Sequence, residues 1–349
     1  MKTKTKKLID KLSQEHSLTK SEYKHLVKNY SAESLGYIAP LALEAKKSIY
    51  GDDIYIRGLI EISNICKNDC IYCGIRASNT NCNRYRLSKD EILSCCKNGY
   101  ELGFRTFVLQ GGEDMHYTDE VLCDIVKSIK DNYPDCAVTL SVGERSFESY
   151  KRLKDAGADR YLLRHETADK RHYKKLHPRK MSFDNRMSCL NDLKRLGFQV
   201  GCGFMVGSPY QKASHIAKDL KFIETFSPHM CGIGPFIPHK DTPFAKYSAG
   251  DVGFSIYLIA IIRLIKPNIL LPATTALATL SDDGRVRAIM CGANVIMPNL
   301  SPDDAKKNYN LYNGKKATGL EAAEHLENLK EQLESVNANI VCSRGDMKG

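Results

Sequence analysis

The chain has 349 residues, 42% of them apolar and 26% charged, and a formal net charge of +10. This composition excludes a collagen, a low-complexity disordered chain and a small disulfide scaffold. The length fits two domains, or one large α/β barrel of roughly 250 residues with extensions.

The 13 cysteines are an odd number, so they cannot all pair. No apolar run approaches the roughly 18–20 residues that cross a bilayer, so no membrane association is expected. The opening MKTKTKKLIDKLSQEHS is basic but lacks an apolar core, unlike a secretory signal. A cytoplasmic, reducing setting is therefore expected, in which cysteines bind metal or lie buried. Basic residues are mostly interspersed with acids, and there is no basic–aromatic stripe, zinc finger or RNP signature, which argues against nucleic acid. The surplus of positive charge suits an anionic ligand or an acidic partner.

Residues 1–51 read as a helical extension. Thr19 and Glu22 have the spacing of a capping box, Pro40 is expected to interrupt the following helix, and Gly51 closes it. Strand patterns then occur at 54–63, 105–110, 137–141, 159–166, 199–207, 230–238, 268–273 and 293–299. Helical patterns separate them, beginning at Ser88 (a second capping box, with Glu91), 118, 146, Ser182, 212, 251 and 282. Strand–helix alternation implies parallel strands, because parallel neighbours need a crossover. Eight units suffice to close a (β/α)8 barrel over 52–300, with a C-terminal cap over 301–349 made of a helix at 320–336 and a polar tail. An open doubly wound sheet is the rival, disfavoured because no G-x-G-x-x-G opens the first unit.

The strongest chemical signal is Cys66-Lys-Asn-Asp-Cys70-Ile-Tyr-Cys73, directly after the first strand and so at the mouth where barrel enzymes place their chemistry. Three thiolates within eight residues suit an iron–sulfur cluster or zinc. Three ligands to a four-iron cube leave one iron open to a chelating small molecule. Cys82 is the nearest spare thiol and has no matching spacing. The segment Gln110-Gly111-Gly112-Glu113 comes after the second strand, where glycines let the backbone approach a ligand. Arg164 and Glu166 end the fourth strand; as i and i+2 they share a face that points into the barrel mouth, while His165 points away. Thr274 and Thr275 lie just past the seventh strand, a pair that taken alone reads as a helix cap or ST-turn.

CxxxCxxC with Tyr72 before its last cysteine resembles the radical S-adenosylmethionine (SAM) superfamily. The wording VLQGGED, ADRYLLRHETA, GCGFMVGSP, GIGPFIPHKDTP, LPATTA and CGANVIMPN resembles the FeFe-hydrogenase maturases of the HydE type over about residues 50–315. Methylornithine synthase is the runner-up, biotin synthase shares the barrel and cysteine spacing, and a non-catalytic iron–sulfur carrier is a third reading. The resemblance implies that Cys66, Cys70 and Cys73 hold one 4Fe–4S cluster. It implies that Tyr72, Gly111, Gly112, Glu113, Glu166 and Arg186 contact SAM, and that Gln110, Thr139, Arg164, Thr274, Thr275, Met297 and Tyr312 line a substrate site. Some relatives carry an accessory cluster on C-terminal cysteines; here only Cys342 comes after Cys291, so one cluster is expected. The implied activity is reductive SAM cleavage to a 5′-deoxyadenosyl radical under anaerobic conditions, in assembly of the dithiomethylamine-bridged diiron centre. The implied partners are a small organometallic or amino-acid-derived substrate, the sister maturases and an electron donor.

Overall fold

The structure is a computed structural model and describes residues 1–316 and 326–349. Six parallel strands stand side by side: Gly58–Ser63, Thr106–Gly111, Ala137–Ser141, Arg160–Leu162, Gln199–Cys202 and Met230–Cys231. In this register Leu59 faces Val108, Val108 faces Thr139, and Thr139 faces Arg160. The wall continues through parallel bridges from Met230 to Leu270 and from Pro272 to Val295. It closes where Val295 pairs with Tyr55 and Asn299 bridges Leu59. The eight parallel positions of the expected barrel are therefore all present, and the open sheet is not.

Several strands are shorter than their hydrophobic runs. The seventh contributes only bridges and has Pro272, which lacks a backbone N–H, in its middle. The sixth is split into Met230–Cys231 and Gly234–Pro235. The fourth is ladder-paired only over Arg160–Leu162 and makes one further parallel bridge from Glu166, left-handed at φ 61°, to Phe204. Short helices at Lys170–Leu176, Thr275–Leu280 and Asp303–Asn308 are not expected from periodicity.

Both capping boxes form, at Thr19 and at Ser88. Pro40 does not interrupt its helix, which runs unbroken over Ala32–Tyr50. Pro40 and Gly36 both lie on the exposed face, so the Gly36 carbonyl deprived of its partner is solvated by water. This helix packs on Val252–Ile265, an apolar helix of which 11 residues are buried, and the two share one continuous core with the barrel. No described helix is long and apolar enough to cross a membrane.

The expected helix at 320–336 is described only from Leu326 to Glu334; its first residues lie outside the described part. The C-terminal residues do not form a loose polar tail. Asn339–Val341 adds a parallel strand beside Asp53–Tyr55, and the chain then crosses the barrel floor. Arg160 pairs with Asp346 at 2.5 Å, Thr106 Oγ1 donates to the Arg344 carbonyl at 2.8 Å, and Arg57 donates to the Gly345 carbonyl at 3.2 Å. Inward-facing polar groups at the lower ends of three strands need partners once buried, and the tail supplies them.

Candidate active site

The cysteine loop leaves the first strand at the carboxyl end of the barrel. Its three thiols line one cavity of about 380 Å³. The loop is fastened at several points. Ile71 N–H donates to the Leu176 carbonyl at 2.9 Å, Ala77 N–H to the Asn68 carbonyl at 2.8 Å, and Gly74 N–H to the Leu311 carbonyl at 2.8 Å. Tyr72 lies edge-on to His177, with its hydroxyl 3.4 Å from Nε2. Cys66 Sγ accepts from the N–H groups of Asn68 and Glu113, both at 3.4 Å. Burial pushes the Cys66 and Cys70 thiols up and that of Cys73 to about 12, and proximity of the other thiols adds to the rise at Cys70 and Cys73. Cys82 is outside the cavity, beside Asn64.

The glycine-rich segment packs directly against this loop. Gly112 N–H donates to the Ser63 carbonyl, and a Cβ at Gly112 would stand 2.2 Å from the Ile65 carbonyl oxygen and 2.8 Å from Cys66 Cβ. Only glycine permits that approach. Glu113 lies 3.5 Å from Lys67 and accepts from Glu144 N–H. Arg186 is buried; its Nε donates to Glu144 at 2.5 Å and its Nη1 to the Arg164 carbonyl at 2.6 Å. Desolvation opposes its charge, but Tyr173, Glu144 and Glu113 hold its pKa above the ordinary value.

Arg164 and Glu166 line the cavity, as their spacing implies, and His165 is turned away into the core toward Asp219. Arg164 Nη2 and Glu166 Oε2 are 3.2 Å apart, yet neither atom makes a hydrogen bond although both are buried. Two charged groups held at the cavity wall with unused hydrogen-bonding capacity are built to receive a polar ligand.

Gln110, Thr274, Thr275, Met297 and Tyr312 also line this cavity. Thr139 does not. Its strand points carboxyl-end upward, so Ser141, paired with Gln110, takes the cavity level and Thr139 sits one inward layer lower. There it borders a void of about 10 Å³ with Arg57 and Arg160, beneath the floor made by Leu162 and Met230. Sequence reasoning missed Glu61, Lys315 and Tyr309, which line the cavity. Lys315 Nζ pairs with Glu61 at 2.5 Å and lies 4.9 Å over the Tyr309 ring, and Asn299 donates to the other Glu61 oxygen at 2.9 Å. Burial raises the Glu61 pKa, and Lys315 opposes it. Glu61 was readable: alternation from Leu59 puts it on the inward face. Nothing in the sequence pattern marks Lys315.

The donor set fits an iron–sulfur cluster better than zinc. Among the described residues no three Cys, His, Asp or Glu side chains are close enough to hold a single metal ion, although three thiols open onto one cavity. Three thiols opening onto one cavity suit the corners of a multi-iron centre. Residues 60–223 match the model of the radical SAM superfamily. The chain is 46% identical to the [FeFe] hydrogenase maturase subunit HydE of Thermotoga maritima over 275 residues, 79% of this chain and 78% of that protein. The chain belongs to the HydE family of radical SAM enzymes. As in that superfamily, its cofactors are a 4Fe–4S cluster and SAM. Similarity to 3-methylornithine synthase of Methanosarcina acetivorans is lower, 28% over 85% of this chain and 83% of that protein, so the HydE reading stands over its runner-up. The HydE fold seen here superposes on the crystal structure of methylornithine synthase (PylB) with a TM-score of 0.82, 25% identity and 96% and 97% coverage of the two chains. It superposes on HydG, another maturase of the [FeFe]-hydrogenase, with a TM-score of 0.81 over 96% of this chain and 75% of that one, at 22% identity.

Proposed function

We propose that this chain cleaves SAM and acts on a small organometallic or amino-acid-derived substrate during assembly of the FeFe-hydrogenase diiron centre. The observation that carries this reading is the cavity that Cys66, Cys70 and Cys73 line together with Arg164 and Glu166. Cys66, Cys70 and Cys73 would hold the 4Fe–4S cluster. When bound, the cluster supplies the electron that cleaves SAM to methionine and a 5′-deoxyadenosyl radical.

The remaining work belongs to the protein. The Gly111–Gly112 backbone brings the ligand close to the cysteine loop, and Glu113 and Arg186 offer charges to the amino and carboxylate groups of the methionine moiety. Glu166, with a free carboxylate oxygen, accepts from ribose hydroxyls, and Tyr72 lies beside the adenine. Arg164, Thr274, Thr275 and Gln110 bind an anionic group of the substrate, while Met297 and Tyr312 cover its apolar part. Enclosure keeps water away from the reacting atoms. A cytoplasmic site of action fits a chain with 13 free cysteines. The other maturases and an electron donor are its working partners.

Anaerobic reconstitution with iron, sulfide, SAM and dithionite tests the first half: 5′-deoxyadenosine and methionine accumulate. Expression in a hydrogenase-producing host that lacks its own HydE tests the second: hydrogenase activity returns. Absence of 5′-deoxyadenosine from protein loaded with iron overturns the proposal.

A further inference from the structure

The positive surplus of this chain is not spread evenly. Residues 170–180, KRHYKKLHPRK, contain six Lys and Arg residues and no acid, and all six are exposed. Lys170 is spent on Asp184. Among the described residues, Arg171, Lys174, Lys175, Arg179 and Lys180 have no carboxylate within ion-pair distance. This segment is also the outer support of the cysteine loop. The Leu176 carbonyl accepts from Ile71, Lys180 Nζ donates to the Lys67 carbonyl at 2.7 Å, and Met181 Sδ is 3.7 Å from Cys70 Sγ. Lys67, inside the cysteine motif itself, is held beside this segment by Lys180, but its own cation is paired with Glu113 at 3.5 Å. At one edge stand two exposed aromatics: Tyr210 packs under Lys175 at 5.5 Å, and its hydroxyl bonds that of Tyr247.

Like charges crowded on one short segment repel one another, and a ligand of opposite sign relieves that repulsion. None of these cations lines the substrate cavity, and all are exposed on the segment that supports the cysteine loop. We infer that the face formed by Lys174, Lys175, Arg179 and Lys180, with Tyr210 at its edge, is the docking surface for an acidic one-electron carrier protein. The reduced carrier loses one electron, which would pass by the Leu176–Ile71 and Met181–Cys70 contacts to the cluster that Cys66, Cys70 and Cys73 would hold, reducing it by one electron. This rests on the proposed SAM-cleaving function, which requires one external electron per cleavage. Charge complementarity of this kind steers encounter and weakens steeply with salt.

The test uses the full-length protein and an acidic flavodoxin as probe. Binding is titrated at low and high salt for wild type, for K174E/K175E, and for K4E/K7E, a charge reversal on an exposed face of the helix Thr3–Glu15. K174E/K175E is expected to weaken flavodoxin binding about tenfold, with a shallower salt dependence, whereas K4E/K7E binds like wild type. With the reconstituted enzyme, K174E/K175E slows 5′-deoxyadenosine formation driven by flavodoxin hydroquinone and leaves the dithionite-driven rate unchanged. Equal losses in the two variants, unchanged binding by K174E/K175E, or no detectable wild-type binding at low salt each overturn the docking surface. Failure of dithionite-driven cleavage in wild type overturns the functional reading instead, so the two are separable.

Discussion

Arg164 Nη2 and Glu166 Oε2 stand 3.2 Å apart at the cavity wall without forming a hydrogen bond. The left-handed turn at Glu166, rare for a residue with a side chain, fixes this geometry. Glu166→Gln removes a charged acceptor from the ligand. A hydrogen bond to a charged group contributes about 1.5–3 kcal/mol, so SAM binding weakens about 10- to 100-fold. Equilibrium dialysis with labelled SAM measures it, and iron content remains that of wild type.

Cys70→Ala and Cys82→Ala separate ligands from bystanders. The first loses the cluster absorbance, the EPR signal of the reduced cluster and 5′-deoxyadenosine formation, with an unchanged far-ultraviolet spectrum. The second keeps all of them, because Cys82 lies outside the cavity.

Gly112→Ala and Gly111→Ala differ in severity. The new methyl at 112 meets backbone at 2.2 Å, whereas at 111 its nearest neighbour is Ile62 Cγ1 at 3.2 Å. Gly112→Ala lowers stability by about 1–3 kcal/mol and displaces the cysteine loop. Thermal unfolding and iron content after reconstitution report both effects, and Gly111→Ala stays near wild type in each.

Lys315→Met leaves the Glu61 carboxylate buried without its cation. Breaking a buried pair from one side costs about 3–5 kcal/mol. The Glu61→Gln/Lys315→Met double variant recovers part of this, and urea unfolding of wild type, Glu61→Gln, Lys315→Met and the double variant gives the coupling directly.

Asp346→Asn loosens the barrel floor in a pH-dependent way. Burial opposes its ionisation, but Arg160, then Arg344 and Gln199, hold its carboxyl well below the usual carboxylate range. A depressed carboxylate stabilises fully above its unfolded pKa of about 4, and the gain fades as pH falls below that value. Wild type therefore melts several degrees above Asp346→Asn at pH 7, and the gap narrows below about pH 4.

The eight-unit barrel was legible because parallel strands here are long apolar runs cut by helices with clear caps. The cluster loop and the Arg164–Glu166 face were legible because fixed spacing and period-two alternation translate directly into position. Three things were not. Likeness alone names Thr139, and only the register, with Ser141 opposite Gln110, shows that it stands one inward position below the cavity lining, its buried hydroxyl unpartnered. Pro40 signals a break in isolation, but solvent takes the carbonyl it frees. Lys315 and the floor-crossing tail lie in polar text without periodicity, and both are held by partners more than 180 residues away in sequence, such as Glu61 and Arg160.

The tail has a kinetic meaning as well. Arg57 meets Gly345 across 288 positions, and Asp53–Tyr55 lies between strands drawn from 295–296 and 339–341. Contacts this distant form after local ones, because closing so long a loop is entropically slow. The first strand of the barrel is thus among the last to be completed, and until the tail arrives Arg57 and Arg160 remain open to water from below. The protein will pass through a slow final docking phase in refolding, with most helices already formed.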